Sequence, residues 1–192
     1  MISLALLGNC SNLCADIVWN EADDGDLSSN PANPTPVNFG VGANTIIGSL
    51  SEPNGDPRDY MTFTIGPNQA LVSMLLDAAS PEGVSFHGIN AGNTSFIPGE
   101  DPSSNFLGLE FVFAYDGFIG LDLLPDLAAG SYGSTGFSIP LGPGTYSYLI
   151  QELTPGESRN YQITFNVVPE PSSAGMLFLS TALWTIRRRQ RS

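Results

Sequence analysis

The sequence contains no lysine. That absence removes the Gly-Lys-Ser/Thr element of a phosphate-binding loop and excludes nucleotide chemistry of that type. Histidine occurs once, as His87, and cysteine twice, as Cys10 and Cys14, both ahead of the body of the chain. A disulfide framework and a thiolate zinc site are therefore excluded from residues 16–167. Positive charge is scarce and displaced: of six arginines, Arg187, Arg188, Arg189 and Arg191 stand within the last six residues. Through Pro171, Arg58 and Arg159 alone oppose all 19 carboxylates, which leaves that part at −17. Such a surface repels polyanions, and it carries no basic patch with interleaved aromatics, so nucleic acid is not an expected partner.

Catalytic groups are equally thin. His87 has Ser85 and Asp77 near it in sequence, but no glycine-flanked nucleophile elbow is present. The expectation is a protein without enzymatic activity and without catalytic residues.

What the sequence does have is size, apolar content and turns. Its 192 residues suffice for one domain with a core, and 42% of them are hydrophobic. The 21 glycines and 15 prolines punctuate short apolar runs. Ile17 to Asn20, Thr45 to Leu50 and Tyr60 to Ile65 read as strands. In the third, Met61, Phe63 and Ile65 point to the core while Thr62 and Thr64 face outward. Ala70 to Ala79, Val84 to Ile89 and Leu107 to Tyr115 follow. Residues 116–144 read as irregular loops around short strands. Tyr146, Tyr148 and Ile150 alternate with Ser147, Leu149 and Gln151, and Tyr161, Ile163, Phe165 and Val167 alternate with Gln162, Thr164 and Asn166; the Pro155-Gly156 turn between them predicts a terminal hairpin. Roughly eight strands with Gly/Pro turns predict an all-β fold, a β-sandwich or jelly-roll-like architecture. A C-terminal hydrophobic helix lies outside that fold.

Both ends read as processing signals. Residues 2–8 form an apolar run, followed by polar residues and Cys14-Ala15-Asp16, which resembles the end of a secretory signal without its basic n-region. Residues 1–15 are thus either a truncated signal peptide or an ordinary N-terminal extension, and the export reading takes the first. At the other end stand Val168, Pro169, Glu170 and Pro171, then the uncharged stretch Ala174 to Ile186, then Arg187, Arg188, Arg189 and Arg191. Prolines end a strand because they cannot donate to its ladder. The arginines cross a bilayer at high cost and favour the cytoplasmic side. As a helix the apolar stretch rises roughly 20 Å against a hydrocarbon core of about 30 Å, a marginal anchor. This order resembles the PEP-CTERM sorting signal of Gram-negative bacteria that make extracellular polymers. The resemblance implies recognition and cleavage by an exosortase, a membrane-embedded sorting enzyme. It also implies an inner-membrane intermediate, and delivery to the cell surface or extracellular matrix. The expected organisation is a signal over 1–15, a sandwich domain over 16–167 and a sorting tail over 168–192.

The body carries a second resemblance. Gly42 to Leu50, Arg58 to Ile65, Gly144-Thr145-Tyr146 and Asn160 to Phe165 are similar to the bacterial pre-peptidase C-terminal type of β-sandwich domain. That implies a binding or spacer role.

Two sets of residues invite ligands. Glu21, Asp23, Asp24 and Asp26 crowd one loop around Gly25, and hard oxygen ligands in that density suit calcium. Glu52, Asp56 and Asp59 can add to the set if the fold brings them close. Tyr115, Phe118, Tyr132 and Phe137 fall among glycine-rich loops and serve either as core or as an apolar patch for polysaccharide or protein. The sequence thus leads to an exported, non-catalytic component of the cell surface or matrix. Its alternative is a carbohydrate-binding module for extracellular polysaccharide.

Overall fold

Period-two alternation of aromatic and branched side chains with polar ones builds strands that bury one face. The structure, a computed structural model, describes residues 15–113 and 119–170. Its strands are β1 Asp16–Asn20, β2 Thr35–Pro36, β3 Gly42–Ser51, β4 Arg58–Ile65 and β5 Gln69–Ser80, followed by β6 Val84–Ala91, β7 Gly108–Phe113, β8 Gly144–Glu152 and β9 Ser158–Pro169. They form two sheets packed face to face. The four-stranded sheet has the order β1-β3-β9-β5 and the five-stranded sheet the order β2-β4-β8-β6-β7. The chain is an all-β sandwich. From β3 to β6 successive strands alternate between sheets; β6, β7 and β8 share one sheet, and β9 returns to the other. This is a jelly-roll winding. Beside β5, where a further strand would lie, the described residues form isolated bridges, Leu71 to Leu141 and Leu75 to Asp122.

The main core fills the space between the sheets. Ile46, Leu76 and Phe165 from one sheet meet Met61, Phe63 and Tyr148 from the other, all buried. The expected inward set of β4 is observed: Met61, Phe63 and Ile65 are buried, Thr62 half-buried and Thr64 exposed. The loop region after residue 118 holds a short helix that the turn-rich sequence does not announce, α2 Leu124–Ala128, which follows the single-turn α1 Glu21–Asp24. Pro125 stands in its first turn, where a missing N–H costs nothing. The Asp122 carboxylate accepts from Leu124 N and Met74 N, and Leu124 and Leu127 enter the core.

A second, smaller core lies on the outer face of the five-stranded sheet. Tyr60, Phe86, Phe106, Leu109 and Leu149 are buried there under the segment linking β6 to β7. Gly88 is what admits Phe106: a Cβ at that position would stand 3.2 Å from the Phe106 ring.

The predicted terminal hairpin is not formed. β8 pairs with β4 and β6, whereas β9 pairs with β3 and β5, in the opposite sheet. Residues 153–157 bridge the roughly 10 Å between sheets. Two strands that face each other across a core show the same alternation as two strands side by side. What holds the crossing is a buried ion pair. Arg159 and Glu152 are 2% and 3% exposed. Arg159 Nε and Nη2 donate to the two Glu152 oxygens, and Nη1 donates to Pro81 O at 2.7 Å.

β9 continues through two residues of the expected sorting motif. Val168 stands opposite Ala70 and Pro169 opposite Gln69, and Glu170 N donates to Asn68 O. Pro171, the apolar stretch, the arginine cluster and residues 1–14 of the signal expected over 1–15 lie outside the described residues. Among the described residues no helix is long and apolar enough to cross a membrane.

Candidate functional site

The acidic loop is reorganised by its own backbone. Asn20 caps the single helical turn, its side chain accepting from Ala22 N. Asp24 accepts from Asn20 N at 2.8 Å and Asp23 from Asn20 Nδ2 at 2.7 Å. These two carboxylates therefore fold back on the cap. Glu21 turns the other way. Its Oε1 accepts from Leu27 N, and its Oε2 accepts from Ser49 N at 2.6 Å and from Ser49 Oγ. This pins the end of β1 to β3 and brings Glu21 to Asp26 and to Asp59 of β4. One carboxylate oxygen of each of these three lies within 4.8 Å of the other two. Of the four residues predicted as calcium ligands, the structure gathers Glu21 and Asp26 and leaves Asp23 and Asp24 on the cap. Asp59, from the second acidic set, completes the group. Glu52 instead accepts from Gly156 N at 2.9 Å.

Asp59 is the unusual member, only 1% exposed. Its Oδ2 accepts from the Tyr161 hydroxyl at 2.7 Å, while its Oδ1 has no hydrogen-bond partner among the described residues. Gly48 makes this contact feasible, because a Cβ there would stand 2.3 Å from the Tyr161 oxygen. Burial, and next the charge of Glu21, push the Asp59 carboxyl up to about 9, despite the Tyr161 hydrogen bond. Burial and Asp26 raise Asp56 to about 6. Burial raises Glu21 too, against the pull of its Leu27 and Ser49 donors. Burial and mutual repulsion thus oppose the ionisation of these carboxyls together.

His87 is a core residue. It is buried, with Nε2 at 2.8 Å from Ser85 Oγ and Nδ1 against the Tyr148 hydroxyl. Burial, and then the charge of Arg159, lower it to about 3, so the imidazole is neutral across the physiological range. Asp77 lies in the other sheet, where its carboxylate accepts from Thr164 Oγ1. Ser85, His87 and Asp77 do not assemble into a relay.

On the outer face of the five-stranded sheet a cleft of about 410 Å³ opens beside the second core. Phe86, Phe106 and Phe111 wall it, Gln151 contributes a polar group, and Asp101 and Ser103 stand among its lining. Phe111 meets Phe86 edge to face at 5.0 Å and Tyr132 at 4.9 Å. Tyr132 is 55% exposed and held at φ 55°. Among the described residues buried Gln151 Oε1 has no hydrogen-bond partner, nor do Tyr60 Oη and Arg58 Nε on the same sheet. Arg58 stands opposite Gln151 in the β4–β8 register. Of the four aromatics flagged in the loops, Tyr132 reaches this cleft and Phe137 packs against the main core. Tyr115 and Phe118 lie outside the described residues. The walls Phe86 and Phe111 were not singled out from sequence. Their signal was apolar residues on both faces of β6 and β7, which require a cover on each side.

No protein-family model matches the chain, and no curated protein matches it. Among solved structures, the chain is similar to the pre-peptidase C-terminal domain of collagenase from Bacillus anthracis. The two are 17% identical, and the likeness covers 73% of this chain and 97% of that one with a TM-score of 0.37.

Proposed function

We propose that this chain is an exported, non-catalytic protein of the cell surface or extracellular matrix of a Gram-negative bacterium, and that its sandwich holds extracellular polysaccharide in the outer cleft. The cleft is the observation that carries the binding role. Sugar rings offer CH faces to aromatic walls and hydroxyls to polar groups, and this cleft offers Phe111 and Tyr132 beside Gln151. The acidic body favours an uncharged polymer over an anionic one.

The test is affinity electrophoresis of the full chain in mild detergent, through gels containing neutral exopolysaccharide. The wild type should be retarded. Tyr132→Ala should lose about 10-fold in affinity, as expected for an exposed aromatic anchor, with its melting temperature unchanged. Equal retardation of the two proteins, or none for the wild type, would remove the binding role.

Delivery rests on the tail. It runs from Val168 through Pro171, across the apolar stretch, to Arg187, Arg188, Arg189 and Arg191, and it supports passage through the inner membrane to an exosortase. In cells with an exosortase, Glu170→Ala should accumulate at full length in the membrane fraction. Wild-type processing of that variant would count against the sorting motif.

A further inference from the structure

The structure assigns a calcium site to Glu21, Asp26 and Asp59, at the end of the sandwich where β1, β3 and β4 meet. Two observations converge on it. The first is the gathering itself: three carboxylates from two segments, each offering an oxygen within 4.8 Å of the others. Oxygens that bind one calcium ion at about 2.4 Å lie at most about 4.8 Å apart, so the spacing suits a shared ion. The second is Asp59 Oδ1. It is a carboxyl oxygen of a residue 99% withdrawn from solvent, and nothing among the described residues donates to it. Buried carboxylate oxygens without a partner are rare and costly, and a cation supplies what the fold omits.

The surroundings select the ion. The donors are all oxygen, which suits hard cations and not zinc or copper. Protein cations do not serve here. The two arginines among the described residues are Arg159, engaged by Glu152 and Pro81, and Arg58, which acts on Tyr60 of the opposite sheet face. Glu21 is already oriented by Leu27 N and Ser49 N, so its geometry is set before an ion arrives. Asp56, close enough to act on Asp26 and Asp59, adds charge without being needed as a ligand. The ion would tie β1 and the acidic loop to β4, joining the two sheets. This site is separate from the outer cleft and does not rest on the polysaccharide reading.

The test is thermal unfolding and titration calorimetry of the full chain in detergent, with calcium, magnesium or chelator. At calcium about 100-fold above its Kd, the melting temperature should rise on the order of 5 °C or more, with one ion bound. Asp59→Asn keeps the shape and the Tyr161 hydrogen bond. It should fold in chelator at least as stably as the wild type, yet lose 10-fold or more in calcium affinity. Asp23→Asn with Asp24→Asn should keep the full response, because those carboxylates serve the Asn20 cap. Absence of calcium heat and of any thermal shift in the wild type would overturn the site. So would a full response in Asp59→Asn, or an equal loss in the Asp23/Asp24 variant, which would mark diffuse screening. A magnesium response as large as that of calcium would overturn the assignment of the ion.

Discussion

Arg159→Ala is expected to lower the unfolding free energy by about 3–5 kcal/mol in urea titrations, enough to leave a domain of ordinary stability largely unfolded. The loss does not measure the attraction between the partners. It arises because Glu152, 3% exposed, keeps its charge in a site that no longer offers a cation. The double variant Arg159→Met with Glu152→Leu should therefore be markedly more stable than Arg159→Ala, since it removes both charges and keeps the volume. The pH dependence gives an independent check. In the wild type, burial pushes the Glu152 carboxyl up, but the Arg159 and Thr154 hydrogen bonds outweigh it and hold the group below its ordinary value. A lowered folded value means that the pair's contribution is present above the unfolded value, about 4.3, and lost as pH falls through the folded one. Without Arg159 the burial, the largest of these effects, is opposed by the Thr154 hydrogen bonds alone; the sign should then reverse, and acid should partly restore the variant. A variant that unfolds at the wild-type urea midpoint at pH 7, with no such reversal, would show that the pair does not hold the crossing.

That ion pair also marks where the sequence stopped being legible. The alternation of Tyr146, Tyr148 and Ile150, and of Tyr161, Ile163, Phe165 and Val167, identified the buried faces of β8 and β9 correctly. Alternation reports which side of a strand is apolar; it is silent on which sheet the strand joins. Glu152 and Arg159 flank a Pro-Gly turn and read equally well as solvated ends of a hairpin. Only the three-dimensional winding shows them meeting across the core.

The acidic loop failed to disclose its geometry for a related reason. Glu21, Asp23, Asp24 and Asp26 are equivalent as a string of carboxylates. Asn20 separates them, because capping a single helical turn draws Asp23 and Asp24 to itself and leaves Glu21 for Ser49. Asp59 sits on an inward position of β4, in line with Met61 and Phe63. An aspartate at an inward position of a clean alternating strand was the available sign of a special role. The outer cleft was hidden because a segment with few regular elements, residues 92–107, forms its cover. Period-two reasoning treats such a segment as solvent-exposed loop.

Phe165→Asp should abolish the cooperative fold altogether. Phe165 lies in β9 with no exposed surface, and its ring centroid is 5.0 Å from Phe39, 5.5 Å from Phe63 and 5.4 Å from Tyr148. Deleting such a ring alone costs about 3–5 kcal/mol through lost burial and the cavity left behind. An aspartate adds a carboxylate in a space walled by aromatic rings, where it has neither water nor a cation, and this costs several kcal/mol more. The total reaches the whole stability of a typical domain, about 5–15 kcal/mol. The control sits on the same strand. Asn160 is exposed, so Asn160→Asp introduces the same group on the opposite face and should shift stability by no more than about 0.5 kcal/mol. Far-UV circular dichroism with urea titration separates the two cases. If Phe165→Asp unfolded cooperatively near the wild-type midpoint, β9 would have to present its other face to the core. Every inward residue of that strand, Arg159 and Tyr161 included, would then be displaced with it, because a strand cannot turn one side chain outward without turning its i±2 neighbours.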